Sequence, residues 1–237
     1  MIENDKTVSL PPMIVKCLRK DTLNMNMQIF VNNGPFSDIN QAAFSEKMID
    51  WWDESDNKAV HCTECFAALI LLTHLEKLNN KIKSFDEISL FDTSDKGLIC
   101  NGPAEVNVLI GNIKTNPLIA QLETEMCESL SANEKVLDEG FRIKSFYFKS
   151  SLYIILSGND RIGTLYSVYA FLEKIGIEKF GPGEKGTYYP KSFNTNSDLL
   201  SMDFIENPAY KTRGCYSEYL DDTCDDIQNN ILLFYMQ

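Results

Sequence analysis

The stretch from Asp138 to Pro190 constrains the fold more than any other part of the chain. Gly140-Phe141-Arg142-Ile143-Lys144-Ser145-Phe146-Tyr147-Phe148 alternates in polarity, as a half-buried strand does. After a Lys149-Ser150-Ser151 break of hairpin length comes Leu152 to Leu156, a solid apolar run that fits a strand covered on both faces. Ser157-Gly158-Asn159-Asp160 then turns the chain and supplies side-chain oxygens to cap a helix. In that helix Ile162, Leu165, Tyr166, Tyr169 and Leu172 form an apolar stripe, widened by Val168, Phe171 and Ile175. Gly176 is placed to end it, and Ile177 to Phe180 returns as a short strand. Two strands, a covering helix and a return strand predict an α/β sandwich.

The remainder extends the alternation. Met13–Leu18 and Met27–Val31 read as short strands, and Asn32-Asn33-Gly34-Pro35 as a turn. Asp38 or Asn40 caps a predicted helix reaching Trp52, with Ala43, Phe44, Met48 and Trp51 on one face. A stronger helix is predicted from Cys62 to Leu78, with Phe66, Leu69, Ile70, Thr73 and Leu75 inward. Ile88–Phe91 and Glu105–Ile110 read as strands, and Pro117 opens another helix from its first position. The expected class is therefore α/β, a mixed β-sheet covered by helices. Lys191 to Ser201 is polar and reads as linker. A short strand is then predicted over Tyr210–Tyr216, followed by a helix start crowded with Asp221, Asp222, Asp225 and Asp226. The apolar run of Ile227, Ile231, Leu232, Phe234 and Tyr235 leads to the expectation that Gln237 falls inside the first strand-helix unit of a second domain. The expected divisions are 1–60, an amino-terminal extension of the α/β domain; 61–190, its body; 191–207, a linker; and 208–237, the start of the next domain.

Composition narrows the partners. A net charge of −12 argues against non-specific binding to nucleic acid or an anionic membrane, since phosphate contacts need a basic surface. No apolar run approaches the ~18 residues of a membrane span, and residues 1–30 hold no signal-peptide pattern. Seven cysteines without secretory context predict reduced thiols and a cytoplasmic setting.

Several motifs invite chemistry and have plainer explanations. Gly181-Pro182-Gly183-Glu184-Lys185-Gly186 matches a dinucleotide-binding glycine pattern, but Pro182 removes a donor and no helix follows. His61, Cys62, Cys65 and His74 suggest zinc, yet a second Cys-x-x-Cys pair is missing, and packing is the preferred role. No metal or other cofactor is expected. Asp160 is expected to cap a helix and Arg161 to pair with a carboxylate. Glu218, Asp221 and Asp222 could supply a two-carboxylate glycosidase pair, although capping and solvation explain the aspartates. Trp51, Trp52, Tyr188 and Tyr189 are candidates for stacking on sugar rings, with core packing the commoner fate.

Taken together, Glu139–Ile143, Ser157–Tyr166 and Tyr169–Glu173 resemble the small α/β domain that precedes the catalytic barrel in glycoside hydrolases. That domain is shared by the β-N-acetylhexosaminidases of family 20 and the α-glucuronidases of families 67 and 115. Gly181–Pro190 fits the connection towards the barrel, and Pro208–Gly214 resembles entry into its first strand. The resemblance implies the amino-terminal, non-catalytic portion of a glycoside hydrolase, followed by the first unit of an incomplete (β/α)8 barrel. It also implies substrate binding by Arg213, which matches the arginine that contacts the non-reducing sugar in the hexosaminidases. Catalytic residues are expected on later barrel strands, so none is expected here, and carbohydrate would be bound through that barrel. Cys215–Asp221 matches neither family's continuation. The alternative reading is a stand-alone carbohydrate-binding or scaffolding module; a nucleotide-binding domain is a third.

Overall fold

The computed structural model describes residues 26–51, 53, 56–93, 105–133, 135–149, 151–181, 183–192, 199 and 202–210. In chain order the elements are β1 (Asn26–Val31), α1 (Ile39–Ala43), α2 (Asn57–Ile82), β2 (Glu87–Asp92), β3 (Glu105–Ile110), α3 (Pro117–Met126), β4 (Phe141–Phe148), β5 (Ser151–Gly158), α4 (Arg161–Lys174), β6 (Glu178–Lys179), β7 (Thr187–Tyr188) and β8 (Asp203–Glu206). Six strands form one mixed sheet in the order β2-β1-β3-β5-β4-β8. β2, β1, β3 and β5 are parallel neighbours, whereas β4 runs antiparallel to both β5 and β8. β6 and β7 make a separate two-stranded ribbon.

Side-chain alternation on the strands divides the core into two layers. Met27, Ile29 and Val31 of β1, Val106, Val108 and Ile110 of β3, and Leu152, Ile154 and Leu156 of β5 meet α1, α2 and α4. Phe30, Leu109, Tyr153 and Ile155 point the other way, onto Leu118, Ile119 and Leu122 of α3. The result is a three-layer domain with helices on both faces. β5 is buried along its whole length, as its unbroken apolar run predicts.

Both long helices bury part of their predicted faces, Leu75 in α2 and Val168, Phe171 and Leu172 in α4 with Ile175 just after it, while the other predicted residues lie on the flanks. In α2 the buried residues are Ala59, Cys62, Glu64, Cys65, Ala67, Ala68, Leu71, Leu75 and Leu78, while Phe66, Leu69 and Ile70 are half-buried and Thr73 is exposed. In α4 they are Gly163, Thr164, Ser167, Val168, Phe171 and Leu172, with Ile162, Leu165, Tyr166 and Tyr169 half-buried. Small residues take the line of closest approach because they let the helix backbone sit nearer the sheet, and the bulkier side chains then fill the flanks. α2 is also long and apolar enough to cross a membrane, by length and composition. Here it lies on the sheet as a core helix, with Leu71, Leu75 and Leu78 sealed beneath it.

Other expectations meet different outcomes. The predicted helix to Trp52 stops at Ala43, and a short 3-10 turn follows over Glu46–Met48. Of the residues predicted to share one face, Ala43 is buried, whereas Phe44, Met48 and Trp51 are exposed. The stretch read as linker contributes to the domain: Leu199 and Met202 are buried, and β8 adds a strand beside β4. Arg142 of β4 grips Asp203 of β8 through Nε and Nη2 at 3.0–3.3 Å, and Lys144 is paired with Glu128 on the same face. The hairpin loop is two residues long, since Ser151 already pairs with Phe148. The strands predicted at Met13–Leu18 and Tyr210–Tyr216 lie outside the described residues, except for Tyr210, as do Arg213 and the whole helix start beyond it.

Gly181-x-Gly183-x-x-Gly186 turns the β6–β7 ribbon. Phe180 N–H donates to the Gly186 carbonyl at 2.7 Å, and a Cβ on Gly186 would fall 2.2 Å from the Gly181 carbonyl oxygen. Gly186 is required by its approach to the Gly181 backbone and Gly183 by its φ of +72°, which accounts for these two glycines without a nucleotide.

Candidate functional site

In an open α/β sheet the place to look for a ligand is the crevice where strand order reverses, at the carboxyl ends of the strands. Here that place lies between β1 and β3, because the β1–α2–β2 connection crosses one face and α3 leaves β3 on the other. The loops Asn32-Asn33-Gly34 and Gly111–Asn116 meet there, beside the end of β5 and the first turns of α2.

Three asparagines tie these loops together. Asn32 Nδ2 donates to the Thr115 carbonyl at 2.7 Å, while its Oδ1 accepts from Gly34 N–H. Asn112 Nδ2 reaches the Gly158 carbonyl at 3.4 Å. Asn116 is fully buried, its Nδ2 donating to the Ile110 carbonyl at 2.9 Å and its Oδ1 capping α3 through Leu118 N–H. Gly34, at a φ of +58°, leaves room for the His61 ring, which a Cβ would overlap at 2.2 Å. His61 Nδ1 lies 3.0 Å from the Asn32 carbonyl, and burial holds its pKa below the ordinary value. Asn116→Ala is expected to cost about 2–3 kcal/mol, from loss of the cap and of a partner for the buried Ile110 carbonyl. Urea denaturation of the two proteins checks this.

Beneath the loops sits Glu64 of α2, completely buried. Its Oε1 accepts from the Thr115 hydroxyl at 2.9 Å, and that hydroxyl in turn accepts from Asn112 N–H at 3.0 Å. Oε2 has no hydrogen-bond partner among the described residues. Removal from water pushes the carboxyl up to about 8, against which the Thr115 bond acts only weakly. Glu64 therefore carries a proton at neutral pH. Sequence reasoning passed over it, although a signal existed: Glu64 is in register with Ala68, Leu71, Leu75 and Leu78 on the buried face.

Of the residues singled out from sequence, His61 and Cys65 lie here, both against the Asn32 carbonyl. Cys62 Sγ faces the Ala43 carbonyl and Cys65 Sγ the Asn32 carbonyl, with burial raising both thiols' pKa. His74 lies further along α2, bonded through Nδ1 to Tyr189 Oη at 2.8 Å, and burial beside Lys179 and Lys77 holds it down to about 4. The described residues hold no cluster of metal-ligating side chains. Asp160 caps α4 as predicted, accepting from Gly163 N–H at 2.8 Å and, through its other oxygen, from Glu139 N–H at 2.7 Å. Arg161 lies 4.8 Å over the Trp51 ring, an aromatic partner where a carboxylate was expected. One face of Tyr189 is covered by Lys81 at 4.2 Å. Trp51 and Tyr188 are at opposite ends of the molecule and make no common sugar platform.

Fold and site together define a mixed α/β three-layer domain whose switch-point loops are closed over a buried carboxylic acid. Comparison with family models, with curated proteins and with solved structures returns no match.

Proposed function

We propose that residues 26–210 serve as the accessory α/β domain of a glycoside hydrolase of the α-glucuronidase or β-hexosaminidase kind. The domain is non-catalytic, and the hydrolase acts on O-glycosidic bonds through carboxylates carried on a barrel. One observation carries the non-catalytic part of this reading. At the end of the sheet where an α/β domain would receive a ligand, the side-chain amides of Asn32, Asn112 and Asn116 are spent on neighbouring loops. The hydrolase assignment itself rests on the residues of the β4–β5–α4 unit that carry the family resemblance. In this reading Arg213 meets the sugar once the barrel is complete.

The test is an activity assay on two proteins. The 237-residue chain is expected to leave chromogenic glucuronides and N-acetylglucosaminides intact, while a form extended by its downstream reading frame is expected to cleave one of them. Turnover by the 237-residue chain, or none by the extended form, would sink the proposal.

A further inference from the structure

Eight large apolar side chains are exposed among the described residues, and six of them share one end of the sheet. Phe44, Met48 and Trp51 lie in the connection that leaves the carboxyl end of β1. Ile113 follows β3. Leu137 leads into β4, whose first residue, Phe141, pairs with Gly158 at the end of β5. Tyr210 follows β8, whose Glu206 pairs with Phe141. Only Phe180 and Tyr188 are elsewhere, on the β6–β7 ribbon to which α4 has carried the chain back. Water-exposed apolar groups gathered at one end of a domain mark a surface that something covers.

The chain itself points to the occupant. Its exit from the sheet is fixed at this same end. Asn207 Oδ1 accepts from Leu137 N–H at 2.8 Å, and Asn207 Nδ2 donates to the Lys135 carbonyl at 3.1 Å. Asn207, three residues before Tyr210, is thereby held at the apolar end surface. Residues 211–237 include Ile227, Ile231, Leu232, Phe234 and Tyr235, which need apolar surface to bury against. Reach is no obstacle: six strands span about 24 Å, and a dozen extended residues cover about 40 Å.

We propose that the strand-carboxyl end of the sheet, centred on Phe44, Met48 and Trp51, is the docking face for residues 211–237 of the same chain. This rests on the accessory-domain reading only for the idea that the domain leans on the polypeptide C-terminal to it. The stitched crevice lies within this face, so docking would also cover the loops above Glu64.

The test places the photoreactive residue benzoylphenylalanine at position 48 of the 237-residue chain, with position 188 as the control at the far end. Irradiation and peptide mass spectrometry are expected to join position 48 to a peptide from 211–237 within the monomer. Yield from position 48 should be about tenfold above that from position 188 and independent of protein concentration, because the contact is intramolecular. Equal yields from the two positions would overturn the proposal. So would crosslinks only to a second, isotopically labelled copy, or none to 211–237. Loss of the crosslink would leave the hydrolase reading standing, whereas an extended form without glycosidase activity would remove that reading and leave the crosslink untouched.

Discussion

Glu64→Gln is expected to stabilise the protein at pH 8 and to flatten its stability profile between about pH 4.5 and 8. The sign comes from linkage. In the unfolded chain the carboxyl ionises at its ordinary value of 4.5, whereas in the fold it holds its proton up to about 8. Below pH 4.5 both states are protonated and the group contributes nothing. Above that, the unfolded state gains stability by ionising while the folded state does not, so the fold loses about 1.4 kcal/mol for each pH unit until the folded group also titrates. The accumulated cost at pH 8 is on the order of 4 kcal/mol. Glutamine keeps the shape and the bond from Thr115 but cannot ionise, so the slope disappears. Near pH 5 the variant should be neutral or slightly less stable, because the amide N–H groups replace Oε2 where no acceptor stands. Denaturation at pH 5 and pH 8 reads the difference directly. Parallel profiles for the two proteins would show that Glu64 reaches water or a partner in the fold.

The second large effect concerns a glycine in a helix. Alanine ordinarily improves a helix by up to ~1 kcal/mol over glycine. At position 163 the sign reverses. A Cβ there would sit 2.1 Å from the Gly140 carbonyl oxygen, a backbone atom that cannot swing away. The same junction is fastened on every side. Asn159 N–H donates to the Gly140 carbonyl at 3.1 Å, Gly158 N–H donates to Thr164 Oγ1 at 3.1 Å, and Asp160 bridges Gly163 and Glu139. Gly163→Ala must therefore prise α4 away from the start of β4, and about 3 kcal/mol of stability should go with it. Gly183→Ala supplies the contrast. Its Cβ meets nothing within 4 Å, so only backbone strain remains, about 1–3 kcal/mol for a φ of +72° and a ψ of −172° that glycine almost alone adopts. A Gly163→Ala protein as stable as its parent would mean that the helix and β4 do not touch in solution.

The interlock gives the family resemblance a physical content. Gly140, Gly158, Asp160 and Gly163, which help carry that resemblance, are the groups that let a hairpin and a helix meet at close range. They are requirements of assembly. None of them needs a ligand to explain its identity.

By itself, the sequence was enough to assign β4, β5, α4 and the return strand β6 of the 138–190 unit, though not β7, together with the cap at Asp160, the Pro117 start of α3 and the doubly covered β5. Each rests on local chemistry: alternation, a solid apolar run, a capping oxygen, a proline at the first helical turn. It also named Glu105–Ile110 as a strand without knowing its neighbours. Only the tertiary structure could decide which side of α2 and α4 meets the sheet. The apolar stripe named Leu75, Val168, Phe171 and Leu172, which are buried, but close approach of the backbones also put Ala67, Ala68, Gly163 and Ser167 inside and left Phe66, Ile70 and Tyr166 half-buried on the flanks. Tertiary structure likewise recruited β8 from an apparent linker, because a strand of four residues pairing at a sheet edge has too little local pattern to announce itself. And it buried Glu64, whose charge at an inward position was visible in the sequence but whose proton depends on the water that the surrounding layers exclude.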